Sequence, residues 1–229
     1  MKKIISVLFI LLVVTGIYYK NDIYSFIVTK INGSYSISDI PDYSGKDYIY
    51  INNNVPNFDN NLKNKNSFEQ YSELDNLGRA GTALANIGYD LMPTTERESI
   101  SGIKPSGWHT IRYDDLIEDK YLYNRCHLIA FMLTGENANV KNLITCTRQM
   151  NLNMVPFETE IRDYIYKTKN HVLYRVTPIY NEGDLVAKGV QMEGYSVEDN
   201  GKGIKFNIFM YNVQDGIEIN YKDGNSKRK

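Results

Sequence analysis

The stretch Tyr123-Asn124-Arg125-Cys126-His127-Leu128 decides how this 229-residue chain is read. Residues 122–130 have the composition of a strand. Side chains alternate along a strand, so Arg125 and His127 emerge on one face and Cys126 turns to the other, into packing. Adjacent strand residues cannot set a nucleophile against its base, which argues against a thiol–imidazole dyad of Cys126 and His127. Downstream stand Asn142 and, nine residues later, Asn151. The chain holds only three histidines, His109, His127 and His171, which argues against a histidine-rich metal cage. What remains is one base, amide oxygens and carboxylates, a set suited to cleaving a phosphodiester beside a single hydrated ion.

The residues beyond this stretch extend the pattern. Asn151 is expected on a short helix, and a neutral amide oxygen is an acceptable ligand for Mg²⁺, which keeps most of its water. Pro156 is expected to open a helix of about 14 residues, because proline is tolerated in a first turn. Phe157, Ile161, Tyr164 and Ile165 give that helix its apolar face. Glu158 and Arg162 are four apart on it. They read either as an exposed ion pair or as a carboxylate that fixes an ion's hydration shell and an arginine that meets a phosphate.

Several strands follow, at Val172–Ile179, Leu185–Tyr195, Lys205–Val213 and Ile217–Tyr221, with turn signals at Asp199-Asn200-Gly201 and Asp215-Gly216. Upstream, residues 47–56 suggest a strand ending at Pro56, and the Asn- and Lys-rich residues 57–66 an exposed loop. Leu74, Leu77, Ala80, Leu84 and Ile87 recur at intervals of three and four, which predicts two short helical pieces within 68–90. The pattern as a whole is α+β, with a mixed or antiparallel sheet and flanking helices.

A net charge of −1 and 42% hydrophobic residues describe a chain with a sizeable core and no global positive field. Nucleic-acid binding would need a local basic face. The end Lys227-Arg228-Lys229 reads as a disordered tail. At the other end, Met1-Lys2-Lys3 precedes an apolar run from Ile4 to Tyr19. Positive charge before such a run describes a signal peptide or an N-in anchor, and no small-residue cleavage site closes it. Residues 1–19 are therefore expected to be a signal or membrane anchor, 20–45 a stalk, and 46–229 a folded domain outside the cytoplasm. Export permits a disulfide between Cys126 and Cys146, but nothing in the sequence brings the two together, and the expectation is free thiols.

Taken together, Asp90-Leu91-Met92-Pro93, Lys104-Pro105-Ser106-Gly107-Trp108, Asn124-Arg125-Cys126-His127-Leu128, Thr134-Gly135-Glu136-Asn137, Lys141-Asn142-Leu143-Ile144-Thr145, Pro156-Phe157-Glu158 and Tyr211-Asn212-Val213-Gln214 resemble the DNA/RNA non-specific endonuclease family, in its exported Gram-positive group. The resemblance runs from about residue 47 to 227. It implies a ββα-metal finger with His127 as general base and Asn151 as ligand to Mg²⁺ or Mn²⁺. Asn142 would be a supporting asparagine, Glu158 the carboxylate of the metal's outer shell, and Arg125 and Arg162 phosphate contacts. DNA, and RNA as a second substrate, would be cut with little sequence preference to 5′-phosphate ends. Asn124 and Cys126 depart from the family's commoner Asp-Arg-Gly-His. Two other classes share the motifs: a surface receptor that binds nucleic acid without cutting, and a toxin-type effector. A pure binder has no need of His127, Asn151 and Glu158 together.

Overall fold

Alternating apolar residues in the second half of the chain build the sheet on which everything else rests. In the computed structural model, which describes residues 40–229, three long antiparallel strands form its centre: β6 (Val172–Ile179), β7 (Gly189–Ser196) and β8 (Lys205–Tyr211). Shorter strands complete it, β1 (Tyr48–Tyr50) beside β8 and β3 (Ala83–Ile87) then β2 (Phe68–Tyr71) beyond β6. The order is β1-β8-β7-β6-β3-β2.

The two faces of the sheet separate by strand periodicity. Val172, Tyr174 and Val176 of β6, with Phe206, Ile208 and Met210 of β8, enter the main core, while Leu173 and Phe209 enter smaller clusters. The main core is covered by α2 (Arg148–Thr168), whose Met150, Met154, Ile161 and Ile165 are fully buried. A two-stranded ribbon, β4 (Tyr123–His127) and β5 (Leu143–Thr147), leads into that helix, with the single turn α1 (Phe131–Thr134) between them. Strand, strand and helix form the ββα unit.

The helix begins at Arg148, not at Pro156. Thr147 caps it, its hydroxyl accepting the Met150 N–H at 3.0 Å. Pro156 lies inside the helix, and Asn151, Glu158 and Arg162 all stand on this one element. The segment Tyr211-Asn212-Val213-Gln214 docks the ribbon onto the sheet. Asn212 Oδ1 accepts the Thr147 N–H at 2.8 Å, Val213 O accepts the Thr147 hydroxyl at 2.6 Å, and Gln214 Oε1 accepts the Gln149 N–H at 3.1 Å.

Three further expectations are corrected. Residues 68–90 hold no helical pieces of the expected kind: they hold β2 and β3, in which Ala83, Ala85 and Ile87 alternate inward, while Leu74 and Leu77 are exposed in the intervening loop. The strand foreseen over 47–56 stops at Tyr50, where Asn52, Asn53 and Asn54 take positive φ. The basic C-terminal end is ordered. Ser226–Arg228 form β10, paired with β9 (Ile217–Ile219), and the Arg228 guanidinium grips Asp115 at 2.6 and 2.7 Å.

Residues 1–19, expected as signal or anchor, and 20–39 of the expected stalk lie outside the described residues. Ile40 and Tyr43 pack against Ile51, Ile179, Phe209 and Tyr211. Among the described residues no helix is long and apolar enough to cross a membrane.

Candidate active site

The ββα unit opens on a cleft of about 840 Å³. Arg125 and His127 of β4 and Asn151 and Glu158 of α2 all line it. Sequence reasoning named these four, and the fold brings them together.

His127 is 8% exposed, and its Nε2 lies 2.7 Å from the backbone oxygen of Asn137. A carbonyl can only accept, so Nε2 carries the proton and Nδ1 keeps the lone pair. Burial, the largest cause, and the charge of Arg97 lower the imidazole pKa, while the bond to Asn137 pushes it the other way. The ring is thus held in one tautomer, with Nδ1 as its proton-accepting nitrogen. Gly135 makes this possible: it ends α1 at φ 71°, a left-handed conformation that suits glycine, and turns the chain toward Asn137.

Asn142 does not line the cleft. It is fully buried and clamps the backbone just past His127: its Oδ1 accepts the Ile129 N–H and its Nδ2 donates to Ile129 O, both at 2.9 Å. It fixes the backbone behind His127 from outside the cleft.

Arg125 is fixed rather than free. Its Nε donates to Ile103 O, its Nη2 donates to Ser101 O at 2.7 Å, and the guanidinium lies 4.0 Å from the centre of the Trp108 ring. Arg162 sits outside the cleft, paired with Asp163 at 2.7 Å and 3.8 Å from the sulfur of Met132, which does line it. Two arginines that sequence reasoning passed over do line the cleft, Arg97 and Arg148. Arg148 had a legible signal. Arg148, Asn151, Val155, Glu158 and Arg162 are spaced three, four, three and four, one face of a single helix, and the first four line the cleft.

Asn151 is half-buried, and its Oδ1 lies 3.1 Å from Cys126 Sγ. Here the expectation of free thiols is overturned. Cys126 and Cys146 form a disulfide across the ribbon, with Cα atoms 5.8 Å apart. The register pairs Cys126 with Ile144 and Cys146 with Asn124, so the cysteines are diagonal neighbours on one face of the two strands. A disulfide sulfur has no proton, so the contact with Asn151 is not a hydrogen bond. No proton donor among the described residues occupies the Asn151 oxygen.

Glu158 is buried, and no hydrogen bond or ion pair among the described residues reaches its carboxyl. Burial pushes its pKa up to about 8. This has a consequence for the metal-free protein. The unfolded chain ionises near 4.5 while the folded chain keeps its proton, so the stabilising effect of protonation is complete below about 4.5 and lost as pH rises to about 8. Glu158→Gln should therefore stabilise the metal-free protein by roughly a few kcal/mol at pH 8 and negligibly at pH 4. Urea unfolding with a chelator at both pH values measures this. An equal difference at the two would refute the buried, uncompensated carboxyl.

The donor set also bears on which ion could bind. Among the described residues no three His, Cys, Asp or Glu side chains gather into a metal cage. A free amide oxygen and an unpaired buried carboxyl suit a hard cation that keeps its own water.

The sequence model of the DNA/RNA non-specific endonuclease family matches residues 58–198. The chain belongs to this family. Among solved structures it is similar to NucA from Streptococcus agalactiae with magnesium bound, at 25% identity and a TM-score of 0.71, over 85% of this chain and 94% of that one. The Sda1 nuclease with bound zinc has the same fold at 23% identity and a TM-score of 0.66, over 86% of this chain and all of the other. A protein described as an extracellular endonuclease shares the fold at 17% identity and a TM-score of 0.56, over 82% and 100%. No curated protein sequence matches. The chain is thus a nuclease of the ββα-metal fold, acting on nucleic acid.

Proposed function

We propose that this nuclease is an exported, Mg²⁺-dependent endonuclease that hydrolyses DNA or RNA with little regard to sequence and uses His127 as its general base. The observation that carries the reading is His127 held in one tautomer by Asn137 O, in the cleft that Asn151 and Glu158 also line. Neutral Nδ1 accepts a proton from the water that attacks phosphorus. Arg125, pinned on Trp108 and the 101–103 backbone, presents its charge in fixed orientation, and Arg97 and Arg148 add to the positive lining that receives phosphates. Arg162 reaches a phosphate at the rim by leaving Asp163.

Asn151 Oδ1 would hold Mg²⁺ or Mn²⁺, with Glu158 orienting the ion's hydration shell. Such an ion supplies positive charge beside the phosphate and protons for the departing 3′ oxygen, which leaves a 5′-phosphate on the other product. None of these residues reads base edges, so sequence preference is low. Plasmid nicking with Mg²⁺ should be complete with the wild-type protein and absent with a chelator. Tight plasmid binding with no nicking under any divalent ion would favour the receptor class.

The NucA structure is described with magnesium and another relative as extracellular, and both descriptions are consistent with this reading. Lys2 and Lys3 before the run Ile4–Tyr19 favour an N-terminus inside and the nuclease outside, held there or released by cleavage. Fractionating producing cells should recover full-length protein in the membrane or a shortened form in the medium. Full-length protein in the cytosol would reject export.

A further inference from the structure

The Cys126–Cys146 pair lies directly behind the cleft, and the chemistry proposed above uses neither sulfur. Both residues are fully buried. Cys126 stands one residue before His127, and Cys146 one residue before Thr147, the cap of α2. Cys126 Sγ is 3.1 Å from Asn151 Oδ1. What that contact does depends on the oxidation state of the sulfur. In the disulfide, Sγ has no proton, and both lone pairs of the amide oxygen stay available. As a thiol at the same separation, Sγ–H donates to Oδ1 and engages one of them.

We propose that the Cys126–Cys146 pair is an oxidation-state switch on the ligand asparagine: the Cys126 thiol occupies Asn151 Oδ1 and weakens its hold on a divalent cation, and disulfide formation releases that oxygen. The proposal rests on Asn151 being the ligand. The step is thiol–disulfide exchange. Two S–H bonds are lost and one S–S bond forms, while two electrons and two protons pass to an acceptor disulfide such as oxidised glutathione, which becomes two thiols; a dithiol drives the reverse. Because both sulfurs are out of reach of solvent, the state is set as the chain folds, by the redox character of the compartment. A chain that folds among thiols carries a masked ligand, and one that folds under oxidising conditions carries an open one.

The rival account is a staple that only joins β4 to the start of α2. Two single variants separate these. Cys146→Ala and Cys126→Ala both lack the bridge, but only Cys146→Ala keeps a thiol against Asn151. Four forms are compared, each checked for fold by circular dichroism and for thiol content by alkylation and mass: oxidised wild type, wild type refolded with excess dithiol and freed of it anaerobically, and the two variants. Mn²⁺ affinity is read from the electron paramagnetic resonance signal of the free ion, and plasmid nicking from gels. Reduced wild type and Cys146→Ala should bind Mn²⁺ about tenfold more weakly than oxidised wild type, the worth of one hydrogen bond competing for the oxygen, and nick correspondingly more slowly. Cys126→Ala should match oxidised wild type. Equal losses in the two variants would make the bridge a staple and overturn the switch. All four forms binding and nicking alike would overturn it too. If none binds Mn²⁺, the assignment of Asn151 as ligand falls, and the switch with it.

Discussion

His127→Ala is expected to slow nucleic-acid cleavage by about 10²–10⁴-fold, the usual worth of a positioned general base. The fold should survive, because the ring lines the cleft and is not part of the apolar core. The wild-type pH profile carries a second signature of the same residue. The base must be neutral, and burial lowers the imidazole pKa, so the rate should rise with pH through a value below 6.5 and hold its plateau further into acid than an exposed histidine allows. Initial rates of plasmid nicking across pH 5–8, set beside the variant, test both statements. A variant that keeps near wild-type activity, or an acid limb above 6.5, would remove His127 from its role.

Asn151→Ala is expected to be the most damaging change at the site, abolishing cleavage while leaving nucleic-acid binding almost intact. No cage of acidic or histidine ligands stands ready to replace the amide among the described residues. The arginines that line the cleft, Arg97, Arg125 and Arg148, are untouched by the change. Electrophoretic mobility shifts and nicking on the same plasmid separate the two effects. Loss of binding in parallel with cleavage would mean that Asn151 shapes the cleft rather than holding the ion.

Legibility in the sequence followed the kind of signal each element carries. β6 is bounded as its alternation predicts, and β8 begins where predicted, because turn residues bracket runs long enough to show a period. The 68–90 segment misled because alanines at positions 83 and 85 hide a buried strand, while Leu74 and Leu77 supply a helical spacing from an exposed loop. Pro156 suggested a helix start since proline is most at home in a first turn; the cap at Thr147 is a better start, and tertiary packing carries the helix through the proline. His127, Asn151 and Glu158 were readable as residues that would share a site, and the fold lines one cleft with all three. Their partners were not readable. The bond from His127 to a backbone oxygen leaves no trace in residue identity, and the disulfide depends on strand register, which no spacing between two cysteines encodes.

The single helix face bearing Arg148, Asn151, Val155 and Glu158 makes the proposed site a matter of rotational phase. Each residue of an α-helix turns the next by about 100°, so deleting one residue between Asn151 and Glu158 would swing the carboxyl away from the amide by more than a quarter turn. Deleting several at once, close to a whole turn, would largely restore the facing while shortening the separation by about 5 Å. Length change in this helix is therefore tolerated by count and not by amount, whereas loops elsewhere in the chain, such as 57–66 and 72–82, carry no such arithmetic.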